Sequence, residues 1–173
     1  NVFELLTAVF AGDAEYYART NSDFRLNDDW QETRQYWAQY PVLHKVENTD
    51  FLQAVTMLAS LKRKREATEG SRKIGVTAKR EDVLKLTLSQ YLDWRDQLRD
   101  AFIWAADFLA DLHIFQAADV PYLKQLVPLA ALRVELGADA DLHQVRARLV
   151  KWYWAGVFGE LYGLSLIHIS EPT

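Results

Sequence analysis

The amino-acid sequence predicts an all-α protein, an irregular bundle of about six helices. Apolar residues recur at spacings of three and four along nearly the whole chain, as they do on one face of a helix. No run of alternating β-branched residues bounded by turns indicates a strand. Of the 173 residues 50% are hydrophobic and 13% aromatic, a composition that excludes general disorder and can supply one sizeable core.

The first predicted helix begins at Asn1 and ends near Arg19. Glu4 follows Asn1 by three residues, which is the pattern of a capping box. Gly12 and Asp13 weaken the helix towards its end. Its apolar stripe consists of Val2, Leu5, Leu6, Val9 and Phe10.

The second predicted helix runs from Asn27 to about Gln39, where Pro41 closes it. Asp28 and Asp29 fall in its first turn, where the helix dipole favours negative charge. These two carboxylates are therefore interpreted as helix-start residues.

The third predicted helix begins at Asp50, with Gln53 as its capping partner. It ends in a basic run, Lys62, Arg63, Lys64 and Arg65. Cations at this end of a helix suit its dipole. Residues 68–78, which include Gly70 and Gly75, are predicted to be a surface loop and the best internal boundary.

The longest predicted helix is central and is capped by Thr87 or Ser89. Its stripe follows spacings of three and four without a miss: Tyr91, Trp94, Leu98, Ala101, Ala105, Phe108 and Leu112. Phe102, Trp104 and Leu109 add apolar surface outside this stripe. We therefore expect neighbours to contact the helix on two sides.

Two further helices complete the predicted bundle. One starts at Asp119 or Pro121 and stops at Gly137, and Pro128 is expected to kink it. The last begins near Asp139 or Asp141 and carries glycines at 156 and 159 on its packing side. Glycines in that position predict a close approach of another backbone.

The composition also bounds the class of protein. The formal net charge is −4, which gives no general attraction to nucleic acid, and no cysteine is present for a disulfide or a thiolate zinc site. The longest apolar run is far shorter than a membrane span. We expect a cytoplasmic protein that does not enter a membrane.

The last ten residues, 164–173, read LSLIHISEPT and resemble the read-through translation of a transposon-type sequencing adapter. We expect them to be non-native. Residues 1–163 are then expected to be a helical fragment of a longer protein.

Catalytic signatures are scarce in the fragment. His44, His113 and His143 are not paired with a second histidine at helical spacing, as a metal site would need. The sequence contains no Gly-x-Ser-x-Gly elbow and no Gly-rich phosphate loop. We predict no self-contained active site, no catalytic residue and no cofactor within the fragment.

Three weaker candidates for binding residues remain. The basic run at 62–65, followed by Arg72, Lys73, Lys79 and Arg80, is able to neutralise phosphates, although a solvated helix end is the preferred interpretation. A kink at Pro128 either opens a pocket or is a purely structural bend, and the second interpretation is at least as well supported. The polar residues that would face such a pocket are Tyr122, Lys124 and Gln125. An aromatic stretch is suited to stacking or, as preferred, to core packing: Trp152, Tyr153, Trp154, Phe158 and Tyr162.

Three stretches carry a resemblance to a known family: NVFELLTAVFAGD at 1–13, DVPYLKQLVPLAAL at 119–132 and KWYWAGVFGELYG at 151–163. Together they resemble the central helical region of the GmrSD-type restriction proteins, which have a ParB/sulfiredoxin-like N-terminal domain. The resemblance implies an upstream domain with Gln-Gln-Arg and Asn-Thr-Gly-Gly motifs that binds and hydrolyses a nucleoside triphosphate. It also implies, in many members, a downstream HNH-type nuclease domain that holds a divalent metal.

The resemblance implies that the parent protein cuts foreign or modified DNA as a defence against phage. All family catalytic residues would lie outside this fragment, and His168 belongs to the adapter-like tail. The fragment would be a scaffold that couples the two flanking domains, its partners in the same chain. The face made by Val2, Leu6 and Phe10 is expected to pack on the upstream domain. The alternative is a stand-alone helical module that binds nucleic acid or another protein.

Overall fold

The computed structural model describes residues 1–67 and 78–161, and this part of the chain is helical with no strand. Its eight α-helices are α1 Val2–Ala11, α2 Ala14–Thr20, α3 Leu26–Tyr36, α4 Asn48–Glu66, α5 Arg80–Leu84, α6 Leu88–Asp111, α7 Leu126–Leu136 and α8 His143–Leu161. Short 3-10 turns lie at Pro41–Leu43, Ala117–Asp119, Leu123–Gln125 and Gly137–Asp141. The predicted all-α fold is confirmed.

Two helices exceed the predicted number because the first predicted helix is broken and a short one was missed. Helix α1 ends just before Gly12, whose backbone N–H donates to the carbonyl of Ala8. Helix α2 begins after Asp13, whose carboxylate caps it by accepting the N–H of Tyr16 at 2.8 Å. The missed helix is α5. The predicted boundary at 68–78, Arg72, Lys73, Tyr162 and the adapter-like tail fall almost wholly outside the described residues.

Helices α4, α6 and α7 contact one another and form the centre of the domain. The middle of α4 is buried on nearly every side. The predicted two-sided burial of α6 is confirmed, since Phe102 and Leu109 are fully buried beside the main stripe. Trp37, just after α3, joins this centre with its ring 4.9 Å from that of Phe102 and 5.8 Å from that of Phe51.

Ion pairs link α4 and α7 near both ends. Lys124, directly before α7, binds Asp50 in the first turn of α4, and Arg65 near the end of α4 pairs with Glu135 near the end of α7. The two helices therefore run in the same direction.

The predicted starts of α4 and α7 are wrong, whereas the predicted start of α6 is confirmed. The N-cap of α4 is Glu47 rather than Asp50, which lies three residues into the motif and accepts the Glu47 N–H at 2.8 Å. Likewise, α7 begins at Leu126 and not at Pro121. Thr87 caps α6 as predicted, with Gln90 completing a reciprocal capping box.

The reason for the kink predicted at Pro128 does not hold, because this proline falls in the first turn of α7 and not in a helix interior. N–H groups in that turn have no partner inside the helix, so a proline there removes nothing. The last helix, α8, begins at His143, since residues 137–141 form a 3-10 turn instead. Gly137 enters that turn at φ 57° and ψ −137°, a conformation open essentially to glycine alone.

The face of α1 that was expected to await another domain is part of the domain's own core. Leu6 and Phe10 are buried, as is Phe3. This expectation is wrong because both side chains belong to the domain's own core, where the Phe10 ring meets the rings of Phe24 and Tyr91. The exposed apolar side chains of α1 are instead Leu5 and Val9, which are 49% and 60% exposed.

Candidate functional site

Lys124 is the best-positioned of the predicted site residues. It lies in the 3-10 turn Leu123–Gln125, and its Nζ donates to Oδ1 of Asp50 at 2.5 Å. Asp50 is only 2% exposed, whereas the lysine side chain is 49% exposed. The hydrogen bond to Asp50 raises the pKa of Lys124 above its usual value, against the opposing effect of partial burial. Lys124 therefore neutralises a buried carboxylate and still reaches the surface.

A groove of about 360 Å³ lies beside this ion pair. Its walls come from α4, from the start of α5 and from the start of α7: Gln53, Met57, Ala78, Lys79, Lys124, Val127 and Pro128. Its lining carries two amines, of which that of Lys124 is already paired with Asp50. Of the three residues predicted to face a pocket near Pro128, only Lys124 lines this groove.

Gln125 points elsewhere, into the space above Gly156 of α8. It is 4% exposed, and a Cβ placed on Gly156 would lie 2.2 Å from its Nε2 atom. A side chain at position 156 would therefore displace the glutamine amide. A close contact exists at this glycine, but the predicted partner is wrong, because it is a side-chain amide and not another backbone. Tyr122 is half-buried.

The aromatic stretch of α8 packs mainly inward. Tyr153 is fully buried, and its ring meets that of Phe108 edge-on with centroids 6.0 Å apart. Its hydroxyl is buried with no hydrogen-bond partner among the described residues, and burial raises its pKa to about 12. Trp152 is half-buried against the core, whereas Phe158 is 50% exposed. Tyr153 is thus placed in the core rather than on a stacking surface.

The basic run divides into two functional parts. Lys62, Arg63 and Lys64 are exposed on the last turns of α4 and form no ion pair within the described residues. Arg65 reaches Glu135 of α7. Only the first three are therefore available for an anionic partner without breaking a contact of the domain.

A buried charge cluster between α3 and α6 was missed by sequence reasoning. Asp29 is 6% exposed and accepts Tyr91 Oη at 2.5 Å and Arg95 Nη1 at 2.8 Å. Arg99 donates to the Asp29 carbonyl at 3.0 Å and through Nε to Thr33 Oγ1 at 2.8 Å. Burial, followed by the negative charge of Asp29, raises the pKa of Tyr91 well above its usual value.

A signal for this cluster exists in the spacing of its members. Asp29 and Thr33 are four residues apart, as are Arg95 and Arg99, so each pair lies on one helix face. Reading Asp29 as a helix-start carboxylate hid its role. Four hydrogen bonds from Tyr91, Arg95 and Arg99 hold α3 on α6, so the cluster has a structural role.

Within residues 1–67 and 78–161, no three or more His, Cys, Asp or Glu side chains group as in a metal site. No helix of the described chain is both long and apolar enough to cross a membrane. The chain matches no protein-family model, no curated protein and no solved structure.

Proposed function

We propose that this chain is the helical coupling segment of a multidomain, nucleotide-dependent restriction endonuclease of the GmrSD type. The observation that carries this proposal is a continuous path of contacts between the three segments of the resemblance. Helix α1, in the first segment, contacts α4; α4 contacts α7, in the second; and the turn leading into α7 contacts α8, in the third. Such a path gives a domain at one end a packed route to a domain at the other.

Two features favour coupling over catalysis. Direct packing of α4 on α7, with the buried Asp50 carboxylate paired to Lys124 at one end, favours movement of the two helices as one body. The exposed Leu5 and Val9 of α1 offer an apolar surface to the upstream nucleotide domain. The nucleoside triphosphate, the divalent metal and the DNA would be bound by the flanking domains, in the cytoplasm of the host cell.

Recovery of the complete open reading frame tests this proposal directly. Amplification outward from the codons for Asn1 and Gly163 should reveal Gln-Gln-Arg and Asn-Thr-Gly-Gly motifs upstream and a His-His pair downstream. A frame that starts near Asn1 and stops soon after Gly163 would refute it.

A stand-alone nucleic-acid-binding module is the second candidate, favoured by the exposure of Lys62, Arg63 and Lys64. If these cations contact phosphates, changing all three to Ala should reduce the slope of log affinity against log salt by about 2–3 for duplex DNA. Fluorescence anisotropy over a salt series measures this slope. Arg65→Ala is the matched control, because Arg65 is already paired with Glu135. Equal binding by the triple variant and the unchanged chain would exclude this candidate.

A further inference from the structure

Helix α8 is attached to the domain differently from the other long helices. Its backbone comes close to the two 3-10 turns that flank α7, whereas α4, α6 and α7 contact one another directly. Its contacts with α6 are made by side chains, through the Tyr153 and Phe108 rings and through an ion pair of Arg146 with Asp111. That ion pair is largely exposed, with Asp111 68% accessible, so it holds the helix weakly.

The buried face of α8 contains a polar group without a hydrogen-bond partner among the described residues. Its buried large side chains form one stripe, Leu149, Tyr153 and Val157. Partly buried apolar side chains of α8 pack beside this stripe: Val145, Val150, Trp152 and Trp154. The Tyr153 hydroxyl in the middle of this stripe has no hydrogen-bond partner within the described chain. A buried donor without a partner loses its hydrogen bonds to water and gains none within the protein. It regains its hydration whenever the site opens. The closed position of α8 is thus less stable than it would be with a paired or absent hydroxyl.

A single residue, Leu142, joins α8 to the preceding 3-10 turn. The turn Gly137–Asp141 is fixed to the rest of the domain, since Arg133 donates to the Gly137 carbonyl and Trp104 Nε1 donates to Asp141 Oδ1 at 2.8 Å. Leu142 follows this turn in an extended conformation, at ψ 134°, and is 55% exposed. A rotation at Leu142 moves α8 without disturbing the turn.

We propose that α8 opens as a unit about Leu142 while α4, α6 and α7 stay folded, and that the unpaired hydroxyl of Tyr153 sets how often it does so. Opening uncovers the Gln125 amide that lies over Gly156 and the Phe108 ring under Tyr153. Local opening of single helices is a common property of folded domains. It would occur in this chain whether or not the parent is a restriction enzyme.

Hydrogen exchange followed by mass spectrometry on the 173-residue chain tests this opening. Peptides from α8 should exchange at least tenfold faster than those from α4 and α6, as expected for a sub-global event. Val55→Ala, in the centre of α4, should accelerate exchange in α4 and α6 and leave α8 unchanged. Equal protection of all three helices, falling together in Val55→Ala, would show that α8 opens only in global unfolding and would overturn the proposal.

Tyr153→Phe tests the role of the hydroxyl. This variant should slow exchange in α8 by about tenfold, because the ring stays and the unpaired donor is gone. Tyr17→Phe is the matched control, since the Tyr17 side chain is 51% exposed, and it should leave α8 unchanged. Unchanged or faster exchange of α8 in Tyr153→Phe would refute the assigned role of that hydroxyl.

Discussion

Replacement of Asp29 by Ala is expected to lower the free energy of unfolding by about 3–5 kcal/mol, the cost of breaking a buried ion pair from one side. The change leaves the guanidinium groups of Arg95 and Arg99 and the hydroxyl of Tyr91 without their shared acceptor between α3 and α6. Urea unfolding followed by circular dichroism measures the loss.

The matched control is Asp28→Ala, one residue earlier in the same helical turn. Asp28 is exposed, so the control removes only an interaction with the helix dipole, about 0.3–1 kcal/mol. If the two variants lose the same stability, the buried cluster does not hold α3 on α6 and its assigned role is wrong.

The pair formed by Asp50 and Lys124 should give the second largest effect. Asp50→Ala removes both the acceptor for the Glu47 N–H and the partner of Lys124, and we expect a loss of about 2–4 kcal/mol. Lys124→Met leaves a buried carboxylate without its cation and should cost a similar amount. The double variant should lose about 1–3 kcal/mol less than the two single losses added together.

The same pair has a predictable dependence on pH. The pKa of Lys124 is raised in the folded chain, so its contribution is complete below the ordinary lysine pKa of 10.5 and is lost as the pH rises through the raised value. The stability difference between the unchanged chain and Lys124→Met should therefore shrink in strongly alkaline buffer. Lys79→Met, which changes the other lysine of the groove, is the control and should alter stability by less than about 0.5 kcal/mol. If the double variant of Asp50 and Lys124 loses as much stability as the two single variants added together, the ion pair does not stabilise the contact between α4 and α7.

The helical class and most helices were predictable because their determinants are local. The capping box of Thr87 and Gln90 and the apolar stripe of α6 each depend only on residues close together in the sequence. Helix boundaries failed where a residue has two possible local roles. Asp50 has the chemistry of an N-cap but acts three residues later, and Pro128 would bend a helix interior but lies at a helix start.

The site was less predictable because its contacts join distant parts of the chain. Lys124 was singled out for its closeness to Pro128, yet its actual partner, Asp50, lies 74 residues away. Asp29 and its donors are separated by more than 60 residues. Sequence periodicity indicates which face of a helix points to the core, but it does not indicate which other helix that face will contact.

The contact between Gln125 and Gly156 restricts how the sequence can evolve at these two positions. In the folded chain, a side chain at position 156 and a long side chain at position 125 compete for one volume. Descendants of this sequence can add a side chain at position 156 freely only after position 125 has become smaller. Positions 125 and 156 should therefore vary together among relatives, as a linked pair in which one member gains the bulk that the other gives up.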